Sequence, residues 1–388
     1  MRKLLAGAAA GFVAAYVAVR TLEALADLRA PAPPLEKDPV RYGASRRALM
    51  LSGIVRSLAT NAVLAFAVAE RLPPNVRRNE SLLGGALYYA CATLVDAALE
   101  TPIDYVERFV LERRYGLSDQ KPADWLLDRT KSAALSIAIG TPLTTALMTL
   151  ARRFPRTWPL LAAAAIPPLL VLANLLIPVY VAPVFNKFEP LRGSLESRLR
   201  ALAARYGVGD AKILRFDLSR RSKKANAYVA GLFHTHRIVV ADTLLEGFSE
   251  DEVEFVVAHE LGHYVGRDTW IGVAAGTLAG GALIFGAHAL ARRREDPVVS
   301  IPGLQRFTFY LTLLAMFAGP LLAAGSRAIE RRADRFAVRA TERPSSGIAA
   351  FERLRERNLA EDEEPRWAEL LFSSHPSLKS RIAALRLQ

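Results

Sequence analysis

Two histidines and a glutamate stand in the run Val256-Val257-Ala258-His259-Glu260-Leu261-Gly262-His263-Tyr264-Val265. On a helix, residues four apart share a face, so His259 and His263 present two imidazoles to one point. Imidazole nitrogen is a zinc ligand, and a catalytic zinc takes three protein ligands and keeps a position open for water. Glu260 sits where it can take that water's proton. The pattern H-E-x-x-H also arises by chance, but the flanks narrow it. They are uncharged, no proline interrupts them, and Ser249 with Glu252 forms a capping box that starts the helix. The alternative is a buried amphipathic helix with two hydrogen-bonded histidines.

A third ligand has to come from elsewhere. The single cysteine, Cys91, excludes an intrachain disulfide and a cysteine-based zinc site, and its apolar surroundings predict a packed thiol. The best candidate is Glu330, in Ser326-Arg327-Ala328-Ile329-Glu330-Arg331-Arg332-Ala333-Asp334. Asp334 shares its helix face and can accept the remaining N–H of a ligating histidine. Taken alone, such acids on an arginine-rich helix read as solvated salt-bridge partners. Together with the histidine pair and its missing ligand, the metal reading prevails.

The elements that must position these residues are largely membranous. The chain has 388 residues, 52% of them hydrophobic, and a net charge of +13. Many arginines flank apolar runs, as in Arg152-Arg153 and Arg292-Arg293-Arg294, which favours membrane flanks over nucleic-acid binding. Apolar runs near Leu4–Val19, Leu51–Ala69, Leu82–Val106, Ser132–Leu150, Trp158–Val181, Trp270–Ala291 and Phe307–Ala324 each approach the roughly 20 residues that cross a bilayer. The first could instead be a signal peptide, and Leu28–Arg47 reads as a loop. Pro167, Pro168 and Pro178 should bend the fifth run. The third carries Asp96, Glu100 and Asp104 as an acidic stripe, which should face protein or water.

The predicted fold is therefore predominantly α, a polytopic membrane protein of about seven transmembrane helices. It has a metalloprotease domain of helices and a small β-sheet, split by the last two spans. Residues 1–183 form the N-terminal membrane region, 184–268 the first part of the catalytic domain, 269–325 spans six and seven, and 326–388 the second part. Leu191–Tyr206 reads as an amphipathic helix, and Lys212–Leu218 and Arg237–Ala241 as strands. Gly231 marks a turn after Ala227-Tyr228-Val229. A free strand edge before the zinc helix could pair with an extended peptide. An odd span count puts the long basic segments on one face, which the positive-inside rule makes cytoplasmic.

The chain resembles the type I CAAX prenyl protease family of integral-membrane zinc metalloproteases. The resemblance rests on Glu112 through Ser118, Pro183-Val184-Phe185-Asn186-Lys187-Phe188, Asn226-Ala227-Tyr228 with Gly231, and His259 through His263. It continues through Ser326-Arg327 with Glu330 and Asp334, and His375-Pro376-Ser377 with Arg381-Ile382. It implies seven transmembrane helices around a water-filled chamber. It also implies one zinc ion bound by His259, His263 and Glu330, with Glu260 as general base and acid. His375 would stabilise the oxyanion, and Asn226 and Arg381 would bind substrate. The activity implied is endopeptidase cleavage by a zinc-activated water.

Composition suggests a bacterial source, hence the inner membrane. Because bacteria generally lack protein prenylation, the expected substrates are peptides or membrane proteins, whether lipidated or not. The other readings are an HtpX-type quality-control protease, which shares the zinc motifs with fewer spans, and a non-catalytic membrane scaffold or permease, against which the intact Glu260 argues.

Overall fold

The computed structural model describes residues 2–74, 76, 82–292 and 298–387. Helix α1 spans Arg2–Arg29 and α2 Pro39–Val63, the latter running on through a π-helical turn over Leu64–Val68. The connecting loop is shorter than the expected Leu28–Arg47. Asp38 caps α2, accepting from Val40 N and Arg41 N, and Pro39 occupies the first turn, where a missing N–H costs nothing. Helix α3 covers Leu82–Asp104 and continues through a π-helical turn over Tyr105–Val110 to Arg114. Helix α4 covers Pro122–Arg153 and α5 Trp158–Leu176. Pro167 and Pro168 lie inside α5, and the regular helix gives way to a π-helical turn at Ile177–Val181, around Pro178.

The polar segment that follows holds β1 (Phe188–Pro190), α6 (Ser194–Arg205), β2 (Lys212–Phe216), β3 (Ala227–Ala230) and β4 (Arg237–Ala241). After it come α7 (Asp242–Gly247), α8 (Glu250–Val265), α9 (Asp268–Ala291) and α10 (Ile301–Thr341). The chain closes with α11 (Pro344–Asn358), α12 (Arg366–Phe372) and α13 (Leu378–Leu385). Leu195, Leu199 and Leu202 are buried, as the periodicity of α6 predicted. The sheet order is β1-β2-β4-β3, with β2 and β4 parallel and the other pairs antiparallel. Strand β1 is too short for sequence periodicity to reveal. Strand β3 is an edge, lying against α8. It ends at Gly231, whose φ of +94° no side chain adopts cheaply and whose added Cβ would collide with Thr235 O.

Six helices among the described residues are long and apolar enough to cross a bilayer, lying within Gly7–Arg29, Pro39–Arg71, Pro122–Arg153, Trp158–Phe185, Asp268–Ala291 and Ile301–Thr341. The remaining expected span is helical as α3, but its acids set it apart. Two of them face arginines of neighbouring helices. Glu100 accepts from Arg56 at 2.8 Å and Arg129 at 3.0 Å, and Asp104 pairs with Arg129 at 2.8 Å. Arg56, the one charged residue in the apolar run Leu51–Ala69, is thus the counter-charge of α3. Cys91 is exposed rather than packed: it lies on the outer face of α3, among Leu87, Leu94 and Val95, which are exposed as well.

Candidate metal centre

Helix α8 starts as its capping box requires. Ser249 Oγ accepts from Glu252 N, and Ser249 N donates to the Glu252 carboxylate at 2.7 Å. Its apolar face is buried in the main core with β4, α6 and α11. Gly262 decides how near α10 comes. A Cβ at this position would stand 3.1 Å from Ala333 Cα and 3.3 Å from Ala333 O. That approach brings Glu330, one turn before Asp334 on α10, over the two histidines.

His259 Nε2 and His263 Nε2 are 3.2 Å apart. Glu330 Oε2 lies 3.3 Å from His259 Nε2, and Glu330 Oε1 3.5 Å from His263 Nε2. Ligands held at about 2.0–2.1 Å in a tetrahedron lie about 3.3 Å apart, so this spacing suits one small cation. Glu330 is buried, and its Oε2 receives no hydrogen bond among the described residues. A buried, unsatisfied carboxylate oxygen is costly without a counter-charge. Two imidazoles and a carboxylate therefore fit a zinc ion on both geometry and donor chemistry.

Each histidine is held from behind. His259 Nδ1 meets Asp334 Oδ1 at 2.9 Å, and Arg381 grips that carboxylate through Nε at 2.9 Å and Nη2 at 2.6 Å. His263 Nδ1 meets Asp268 Oδ2 at 2.9 Å, and Arg332 bonds the other oxygen of Asp268. Carboxylates in these places fix the tautomer that leaves Nε2 free to ligate. Burial opposes a charged His259, but the Asp334 and Glu330 carboxylates beside it outweigh this and raise its pKa to about 9. Burial and the neighbouring His259 lower that of His263. Burial pushes the Glu260 carboxyl up, against the pull of both imidazoles.

His375 joins the cluster from the loop between α12 and α13. Its Nε2 is 3.3 Å from Glu330 Oε1, its Nδ1 is 2.8 Å from Ser374 Oγ, and the side chain remains 60% exposed. Arg327 holds this loop, donating to Ser373 O at 2.7 Å and Glu369 O at 2.9 Å. Arg381 is brought in by α13, only 8% exposed, with its guanidinium stacked 4.2 Å over Phe351. Asn226 stays outside the metal cluster. It is exposed at the head of edge strand β3, with its carbonyl accepting from Ala241 N. Of the remaining histidines, His236 packs on Tyr264 and His288 on Trp158, with no part in the centre. Sequence reasoning missed Asp268 and Arg332. The available signal was an acid shortly after H-E-x-x-H, at the first turn of the next helix.

A membrane bundle carrying an H-E-x-x-H helix, with a glutamate delivered by a second long helix, defines a multi-pass membrane metalloprotease. Family comparison agrees in both halves. Residues 190–388 match the model for peptidase family M48, and residues 41–187 match that for the CAAX prenyl protease N-terminal region, five membrane helices. The chain belongs to peptidase family M48 and resembles its CAAX prenyl proteases. It is 30% identical to CAAX prenyl protease 1 of Saccharomyces cerevisiae, over 79% of this chain and 72% of that one. Identity to the CAAX prenyl protease 1 homolog of Oryza sativa is 32%, covering 74% and 69%. An uncharacterized metalloprotease of Bacillus subtilis, YhfN, is 27% identical over 75% and 70%. The crystal structure of S. mikatae Ste24p superposes with a TM-score of 0.75 at 22% identity, covering 99% of this chain and 98% of that one, which shows a shared fold.

Proposed function

We propose that this protein is a zinc endopeptidase that cleaves peptide bonds at the surface of a bacterial inner membrane, from the cytoplasmic side. The observation that carries this reading is the convergence of His259 Nε2, His263 Nε2 and the Glu330 carboxylate within 3.5 Å of one another. These three residues would hold zinc, which supplies a Lewis acid that acidifies water and polarises a carbonyl. The catalytic unit would comprise 184–268 and 326–388, with 1–183 and 269–325 as its membrane frame.

Glu260 takes the proton from the attacking water and later delivers it to the leaving amine. Burial raises its carboxyl above the usual carboxylate range, which strengthens it as a base. His375, tethered at the rim through Ser374 and Glu330, donates to the oxyanion as it develops. The substrate lies extended along β3, where unpaired edge groups supply main-chain hydrogen bonds. Asn226, at the head of that strand, contacts the peptide backbone. Arg381 has Nε and Nη2 committed to Asp334, which leaves Nη1 for a substrate carbonyl.

The relatives named CAAX prenyl protease suggest a lipidated peptide as one substrate class, and the membrane frame equally suits unmodified membrane-associated peptides. The test is zinc content together with cleavage of a fluorogenic peptide by purified wild type and Glu260→Gln. Wild type should hold one zinc and cleave. The variant should hold one zinc and lose at least about a hundredfold in turnover. A zinc-replete variant with undiminished turnover overturns the assignment.

A further inference from the structure

Two cavities meet at the end of the bundle that carries the catalytic segment. The first, about 360 Å³, runs between α1, α3 and the start of α4, walled by Ala24, Leu25, Leu28, Pro102, Trp125 and Leu126. The second, about 350 Å³, opens beneath the Pro31–Pro34 loop and is lined by Phe109, Arg113 and Arg114. Leu28, Tyr105 and Pro122 line both, so the two lie side by side. Tyr105 forms the wall between them. Its hydroxyl donates to Asp27 at 2.9 Å, and its ring stacks on Phe109 and meets Trp125 edge-on.

The apolar cavity opens toward the bilayer side, where Leu22, Leu25, Leu28 and Leu126 are exposed. Tryptophan at a helix end marks the membrane–water boundary, and Trp125 stands in the first turn of α4. The polar mouth holds two cations without an acidic partner among the described residues. Arg113 stacks on Phe109 and gives Nη1 to Gln120 O, and Arg114 gives Nε to Pro33 O. Their other N–H groups remain available. The one acid among the residues lining this mouth, Asp27, is turned onto Tyr105 and Ala32 N. An apolar slot at the boundary, capped by two guanidinium groups that carry no acidic partner among the described residues, is complementary to an acyl chain joined to a phosphate.

We propose that this groove binds one anionic phospholipid, with an acyl chain against Leu28 and Trp125 and the phosphate on Arg113 and Arg114. The site is separate from the metal centre, and the proposal stands whether or not the protease reading holds.

Native mass spectrometry of the full-length protein, released from detergent with dioleoyl phosphatidylglycerol or dioleoyl phosphatidylcholine, tests it. The two lipids share their chains, so a difference between them reads the headgroup. Wild type should retain phosphatidylglycerol about twenty-five-fold more than phosphatidylcholine, since each of the two basic residues contributes roughly fivefold near a membrane surface. Arg113→Gln/Arg114→Gln should bring the ratio to about one with an unchanged melting temperature. Leu28→Trp, at an exposed position, should fill the slot and lower retention of both lipids. Equal retention by wild type, a ratio unmoved by the double variant, or full retention by Leu28→Trp each overturns the proposal. So does displacement of phosphatidylglycerol by millimolar inorganic phosphate, which would make the mouth a site for a soluble anion.

Discussion

Lys224 Nζ lies 2.8 Å from Glu112 Oε2, and Tyr42 closes the same cluster, bonding Glu112 and accepting from Lys224 at 2.8 Å. This pair ties the membrane half of the chain to the loop that enters edge strand β3. The loop is fixed residue by residue. Ser118 Oγ donates to Arg221 O, Lys223 N to Leu117 O, Thr243 Oγ1 to Lys224 O, and Ala225 N to Asn358 Oδ1. The segment from Glu112 to Ser118 is therefore the brace of the strand on which a peptide would lie.

Glu112→Gln should weaken this brace and leave Lys224 half-buried without its counter-charge. A loss of about tenfold in kcat/KM, about 1.4 kcal/mol, is expected, and it should fall on KM because the metal ligands are untouched. Adding Lys224→Met should restore part of it by removing the stranded charge. Peptide kinetics on the single and double variants decide the point. A fall in kcat alone, or a double variant worse than either single, would sink the idea.

The Asp268 carboxylate should matter to metal affinity as much as Asp334 does, because each fixes the tautomer of one ligating imidazole. Asp268→Asn and Asp334→Asn are each expected to weaken zinc binding by about ten- to a hundredfold, measured by competition with a chromogenic chelator. Affinity unchanged by Asp268→Asn would show that the hydrogen bond to His263 is dispensable.

These two carboxylates also show how far the sequence could be read. His259, His263 and Glu260 were legible because a helical period fixes their geometry. Glu330 and Asp334 became legible through that same period, once a third ligand was needed. Asp268 follows a residue in the left-handed region, Arg267 with φ 56°, which redirects the chain between α8 and α9. No helical period runs across such a break, so its return to His263 could not be counted out. The contacts of Arg332 and Arg327 were hidden for another reason: on an arginine-rich helix, charge alone does not say which side chains turn inward. The start of α2 was missed because the cap at Asp38-Pro39 lies inside a stretch whose composition reads as loop.

Gly262 sets the distance between α8 and α10, and replacing it sets two effects against each other. Alanine is preferred over glycine within a helix by about 1 kcal/mol. The added Cβ would press on backbone atoms of Ala333, which cannot rotate away, and overpacking of this kind costs about 1–3 kcal/mol. The second effect should win. Gly262→Ala should displace Glu330 and lower both thermal stability and zinc occupancy. A fully zinc-loaded variant as stable as wild type would contradict the close-packing argument.

Arg381 has two possible duties, and its geometry allows them to be separated. Nε and Nη2 hold Asp334, which holds His259, while Nη1 takes no part in that grip. Arg381→Lys keeps the charge but lacks the planar fork, so it can serve Asp334 through one bond at most. If the guanidinium chiefly orients the metal site, this variant should bind zinc about tenfold more weakly while KM at saturating zinc stays near wild type. If Nη1 contacts the peptide, KM should rise severalfold even when zinc is saturating. Zinc titration followed by peptide kinetics on the loaded enzyme separates the two. The 8% exposure of Arg381 and its stacking on Phe351 favour the larger effect on zinc, because a side chain so enclosed has little surface to offer a substrate.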